Sequence, residues 1–89
     1  SYDDKDRMEK ARRLYTGVGV EQNYVKAFEL FIPLAQGGNA EAARFVGLMK
    51  LSGKGTKRDL NLAKEWLSVA SQKGDKIARR LLDSYKSLF

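Results

Sequence analysis

Gly17-Val18-Gly19-Val20-Glu21-Gln22-Asn23-Tyr24-Val25-Lys26-Ala27 returns, respelled, as Gly53-Lys54-Gly55-Thr56-Lys57-Arg58-Asp59-Leu60-Asn61-Leu62-Ala63. The correspondence runs on beyond these stretches. Glu29 returns as Glu65, Gln36 as Gln72, Gly38 as Gly74 and Ala42 as Ala78, each 36 residues later, as Gly53 follows Gly17. Conservative pairs fill the gaps: Phe31 with Leu67, Asn39 with Asp75, Phe45 with Leu81. A fixed period between roughly 20 and 50 residues marks a repeat architecture.

Between the glycine clusters the apolar residues recur at helical spacing. Met8, Ala11, Leu14 and Tyr15 share a face in a first helix over about 4–16. Tyr24, Ala27, Phe28, Phe31 and Leu34 form a stripe in a second, over about 24–37, that Asn23 is placed to cap. Pro33 interrupts it; an interior proline loses a hydrogen bond and clashes one turn back, so a bend near 29–33 or an early end is expected. Ala42, Phe45, Val46 and Met49 mark a third helix, about 40–52. It contains Gly47, whose cost of about 1 kcal/mol relative to alanine is offset if a neighbouring helix approaches closely. Asp59 caps a fourth helix, about 60–73, with two apolar lines: Leu60, Ala63, Leu67, Ala70, and Leu62, Trp66, Val69. A fifth, about 76–88, is expected to bury Ile77, Ala78, Leu81, Leu82 and Tyr85. Asp3 or Asp4 is expected to cap the first helix. The short links Gly37-Gly38-Asn39 and Gly74-Asp75 make successive helices antiparallel. Nothing reads as a strand.

The chain of 89 residues is one domain by length, and a domain this small buries only roughly 60–65% of its unfolded surface. Stacked repeats are one way to manage with so small a core. The formal charge of +6 lies entirely in residues 45–89, which hold ten Lys/Arg against four Asp/Glu; residues 1–44 hold seven of each. There is no Cys, hence no disulfide framework, and no His. Their absence removes Ser-His and Cys-His nucleophile pairs and leaves carboxylates as the only side chains of the usual metal-ligand set. Asp3, Asp4 and Asp6 are the one acidic cluster and read as a solvated helix start. An enzyme is not expected, and no cofactor or metal. No apolar run approaches the ~20 residues that span a bilayer, and no signal peptide is legible.

The punctuated pattern resembles the Sel1-like repeat, a relative of the tetratricopeptide repeat. One unit is carried by Ala40, Ala42, Val46-Gly47, Met49, Gly53-Lys54-Gly55, Asp59, Ala63, Trp66, Ala70, Gly74 and Asp75. The unit before is carried by Gly17-Val18-Gly19-Val20, Asn23-Tyr24, Ala27, Ala35 and Gly38-Asn39. The resemblance implies an all-α fold: a right-handed α-solenoid of antiparallel helix pairs, about two and a half repeats in five helices. Repeat 1 then covers about 3–38, repeat 2 about 39–74, and a capping helix about 75–89. There are departures. Asp4 and Asp6 stand where the next copy has Ala40 and Ala42, Ala11 stands for Gly47, and Asp83 takes that place in the last helix. Asp83 is expected to keep a further helix from packing there. Lacking cysteine, the chain falls outside the family's cysteine-rich branch.

The resemblance further implies a non-enzymatic adaptor that binds a protein partner on its concave face. A bacterial periplasmic, envelope or secreted setting is favoured by the same resemblance. An immunity or inhibitor protein against a secreted bacterial toxin is the alternative, and a binder of an anionic polymer such as nucleic acid is another. In such solenoids the first helix of each repeat lines the concave face. Met8, Arg44 and Arg80 are equivalent by the offset, as are Arg12, Leu48 and Ser84. Arg12, Arg44, Leu48 and Arg80 are therefore the expected groove lining, against the plainer reading of ordinary surface.

Lys50, Lys54, Lys57 and Arg58 form a basic patch at the second glycine loop; Lys73, Lys76, Arg79 and Arg80 cluster near the last link. Solubility is the plain reading, an acidic protein partner the second. Nucleic acid comes last, because the aromatics sit at core spacing rather than among the cations. Gly53-Lys54-Gly55-Thr56-Lys57 looks like a phosphate loop, but it follows a helix and has the wrong glycine spacing. It reads as a helix stop, with a backbone nest for an anion as the alternative.

Overall fold

The computed structural model describes residues 2–89. Within them five α-helices follow one another: α1 Tyr2–Thr16, α2 Tyr24–Gln36, α3 Ala40–Ser52, α4 Leu60–Gln72 and α5 Lys76–Ser84. A 3-10 turn, Lys86–Leu88, closes the chain, and no strand occurs among the described residues.

The duplication is reproduced bond for bond. Asn23 and Asp59 each cap their helix, accepting from the amides of Lys26 and Leu62 at 3.0 Å. Asn39 and Asp75 do the same for Ala42 and Ala78 at 2.8 Å. Backbone bonds tie each long loop back in the same place, from Asn23 N–H to the Leu14 carbonyl at 2.8 Å and from Asp59 N–H to the Lys50 carbonyl at 2.9 Å. Even side-chain braces are copied. Gln22 Nε2 donates to the Tyr15 carbonyl at 2.9 Å, and Arg58 Nε to the Leu51 carbonyl at 3.0 Å. Each cap satisfies one orphan amide of a helix start and contributes about 1 kcal/mol.

The core runs through the stack as the apolar stripes require. Met8, Ala11 and Leu14 of α1, Ala27, Phe31 and Leu34 of α2, and Ala42, Val46 and Met49 of α3 are buried, continuing into Leu67, Ala70 and Ala78. Phe31 and Phe45 stack with centroids 4.4 Å apart, and Tyr15 meets Phe45 edge-on at 5.1 Å. Gly47 lets α3 and α4 close up: a Cβ there would lie 2.7 Å from Leu67 Cγ. Gly55 makes a second close approach. Its φ is +72°, and a Cβ would fall 2.3 Å from the Tyr24 carbonyl oxygen. Helix α4 lies between α3 and α5. Its first apolar line is buried at Ala63, Leu67 and Ala70, while Leu62, Trp66 and Val69 are half-buried.

Several local expectations are corrected. Helix α1 begins at Tyr2, so Asp3 and Asp4 sit inside its first turn, where their charge suits the helix dipole, instead of capping it. Helix α2 does not end early: it runs through Pro33 to Gln36, with the ring at an exposed position. Helix α5 stops at Ser84. Only Ala78 of it is fully buried; Leu81 and Leu82 are half-buried, and Ile77 and Tyr85 are exposed at 48% and 40%. Among the described residues only the 3-10 turn follows α5, and these apolar side chains keep one side toward solvent. Asp83 is exposed and faces Arg79 at 3.9 Å.

Candidate functional site

The four residues expected to line a groove meet different fates. Arg12 Nη1 donates to Glu41 Oε1 at 2.6 Å, bridging α1 and α3 at a half-exposed position. Arg44 is drawn inward. Its Nε donates to Asp75 Oδ2 at 3.0 Å, and its side chain retains only 13% of its exposure. The guanidinium also lies over the Phe45 ring, 4.9 Å from its centroid. Arg44 is thus held inside the repeat interface. Arg80, its equivalent in α5, is exposed. Leu48 is half-buried and lines a pocket.

That pocket, of about 330 Å³, lies where the ends of α1 and α3 meet the glycine loop and the turn after α5. Tyr15 comes from the end of α1, and Leu48, Leu51 and Ser52 from α3. Tyr85 and Leu88 come from the turn after α5, and Lys54 and Arg58 from the glycine loop. The walls are aromatic and aliphatic, the rim is cationic, and no carboxylate lines it. A larger hollow of about 960 Å³ lies against the first halves of α1 and α3 and the end of α2. It is lined by charges of both signs, among them the pairs Arg7 with Asp4 and Arg12 with Glu41.

The basic patch is only partly available. Lys50 Nζ donates to Thr56 Oγ1 at 2.8 Å and sits 5.4 Å from the Phe28 ring centroid. Lys54 Nζ lies 5.3 Å from the Tyr24 ring centroid. Arg58 braces the Leu51 carbonyl through Nε. Lys57 is exposed. The amides of Gly53 and Lys54 donate to the Met49 carbonyl at 2.8 and 3.2 Å, so the loop's backbone closes α3. The copied loop does likewise, Gly17 N–H meeting the Arg13 carbonyl at 2.7 Å.

Against known families, the pattern of the Sel1 repeat matches residues 11–39 and again residues 40–75. The chain belongs to the Sel1-repeat family. Sel1 repeats generally serve as protein–protein interaction scaffolds and are generally non-catalytic. Among solved structures, this Sel1 chain is similar to a protective antigen of uropathogenic Escherichia coli strains that displays an SLR fold. That likeness has 23% identity and a TM-score of 0.86, and covers 92% of the chain. A Sel1 repeat protein from Oxalobacter formigenes is similar at 29% identity and a TM-score of 0.80, over 96% of the chain. The chain spans 18% and 35% of the lengths of those two proteins. No curated protein matches it.

The sequence singles out Leu48, Lys54 and Arg58 of this pocket, and not Tyr15, Leu51, Ser52, Tyr85 or Leu88. Tyr15 and Leu51 carried a usable signal, being 36-residue equivalents on first helices. Tyr85 was assigned to the core, and Leu88 had no periodicity to announce it. No helix among the described residues is long and apolar enough to cross a membrane.

Proposed function

We propose that this Sel1 chain is a non-enzymatic scaffold that binds a protein partner across the face formed by α1, α3 and the turn after α5. The observation that carries the reading is the convergence of the ends of two successive first helices, α1 and α3, with the turn after α5 on one pocket that carries Lys54 and Arg58 and no carboxylate. An apolar core surrounded by a polar, solvent-accessible rim is the usual anatomy of an interface, and the pocket's tyrosines are a residue type enriched in hot spots. Arg12, Leu48 and Arg80 are the members of the expected lining that remain accessible, Arg12 through its half-exposed pair with Glu41. Arg44 contributes by holding the curvature between repeats. Lys54, Lys57 and Arg58 steer a partner of opposite charge during approach. The non-catalytic reading rests on a chain without His or Cys and on the family's general character.

Affinity capture from the source lysate tests the proposal, comparing the wild-type chain with Leu48→Asp and with Lys64→Asp on α4. A protein retained by wild type and Lys64→Asp, but released by Leu48→Asp, supports this face. Equal retention by all three overturns it.

A further inference from the structure

We infer that the pocket between Tyr15, Leu48, Leu51 and Tyr85 anchors one large apolar side chain of an acidic protein segment, whose carboxylates meet Lys54 and Arg58. The inference rests on the protein-binding reading and names its partner's chemistry.

Size comes first. At about 330 Å³ the pocket stands at the small end of ligand sites, which run from roughly 300 to 1,000 Å³. It suits a single bulky side chain better than a cofactor. Its walls come next. Tyr85 and Leu88 are 40% and 46% exposed, while Tyr15 and Leu51 are half-buried, so an inserted apolar group would complete packing that the chain leaves open. Charge then selects the flanking residues. Every ionisable side chain on the rim is cationic, the neighbouring Lys57 and Lys86 are also exposed, and the net charge of +6 resides in this half of the chain. Lys54 and Arg58 are held in place by the Tyr24 ring and the Leu51 carbonyl. Pre-positioned cations lose less side-chain freedom when a carboxylate arrives. The two remaining nitrogens of Arg58 stay available for a bidentate contact.

The copied brace supplies a clean variant. Gln22 does for Tyr15 what Arg58 does for Leu51, so Arg58→Gln removes the charge and keeps the hydrogen bond to the α3 end.

The test is a fluorescence-anisotropy titration at low salt, with amide shifts followed by NMR. The probe is a labelled dodecapeptide of Asp, Glu and Ser with one central Trp. Its companions are the same peptide with Ala for Trp, the same peptide with Lys for each acid, and a single-stranded thymidine dodecamer. The Trp-containing acidic peptide should bind, move the amides of Leu48, Leu51 and Tyr85, and weaken with salt. Replacing its Trp by Ala, or introducing Leu48→Asp or the exposed Tyr85→Asp, should cost ~10-fold or more. Arg58→Gln should cost several-fold with an unchanged melting temperature. Equal binding of the Ala peptide, the Lys peptide or the thymidine dodecamer overturns the inference, as does absence of binding. If it falls while a lysate partner is still released by Leu48→Asp, the protein-binding reading stands and only the acidic anchor is lost.

Discussion

Asp75 serves two masters in two repeats: its Oδ1 accepts the Ala78 amide at 2.8 Å to start α5, and its Oδ2 accepts Arg44 Nε at 3.0 Å from α3. With side-chain exposures of 11% and 13%, the pair is shielded from the water that weakens surface ion pairs. Its counterpart one repeat earlier, Asn39, caps α3 with no such cation, because Met8 stands where Arg44 does.

The comparison between copies therefore separates capping from pairing. Asn39→Ala should cost about 1 kcal/mol, the usual value of a cap. Asp75→Ala should cost about 2–3 kcal/mol, since it also leaves a largely buried guanidinium with only Glu41, at 3.7 Å, to answer it. Urea denaturation of both variants checks the difference. Equal midpoints would show the ion pair to be idle.

Arg44→Ala should lower the melting temperature while Arg80→Ala leaves it nearly unchanged. A loss of about 1–2 kcal/mol for the first amounts to several degrees in a domain of this size. The two arginines occupy the same repeat position, and only the first has a carboxylate waiting. Thermal melts by circular dichroism distinguish them.

Gly47→Ala sets helix propensity against sterics. Alanine gains about 1 kcal/mol of propensity in the helix interior. Its Cβ would meet Leu67 Cγ at 2.7 Å and the Leu67 amide nitrogen at 3.2 Å, neither at the free end of a side chain. Overpacking of this kind costs about 1–3 kcal/mol, so net destabilisation is expected. A more stable variant would refute the close approach of α3 and α4.

Gly19→Ala and Gly55→Ala test the same loop position in two settings. Both residues have φ near +75°, at +78° and +72°. A side chain at Gly19 meets nothing nearer than Arg13 Nη1 at 3.9 Å, whereas one at Gly55 meets the Tyr24 carbonyl. Gly19→Ala should cost about 1–2 kcal/mol for the left-handed backbone alone. Gly55→Ala should cost clearly more, because α2 must shift. Chemical denaturation of the pair measures the excess.

The amino-acid sequence by itself determined the helices, the caps at Asn23 and Asp59 and the repeat that pairs them. Those features are local or periodic: Asn23, Asp59, Gly53 and the apolar stripes act within a turn or two, and the 36-residue offset makes each copy a check on the other. The resemblance carried by the same residues pointed to the solenoid and to a protein partner. What it could not decide was which side chains face a neighbour and which face water. Arg44 and Arg80 are identical in sequence register, and only the arrival of Asp75 across the repeat interface turns the first inward. Tyr85 has core spacing, yet it stays exposed in the fold. The pocket likewise exists only because elements far apart in the chain, the ends of α1 and α3 and the closing 3-10 turn, bring Tyr15, Leu51 and Leu88 together. Periodicity fixes a residue's direction from its own helix axis; what lies in that direction depends on how the helices stack.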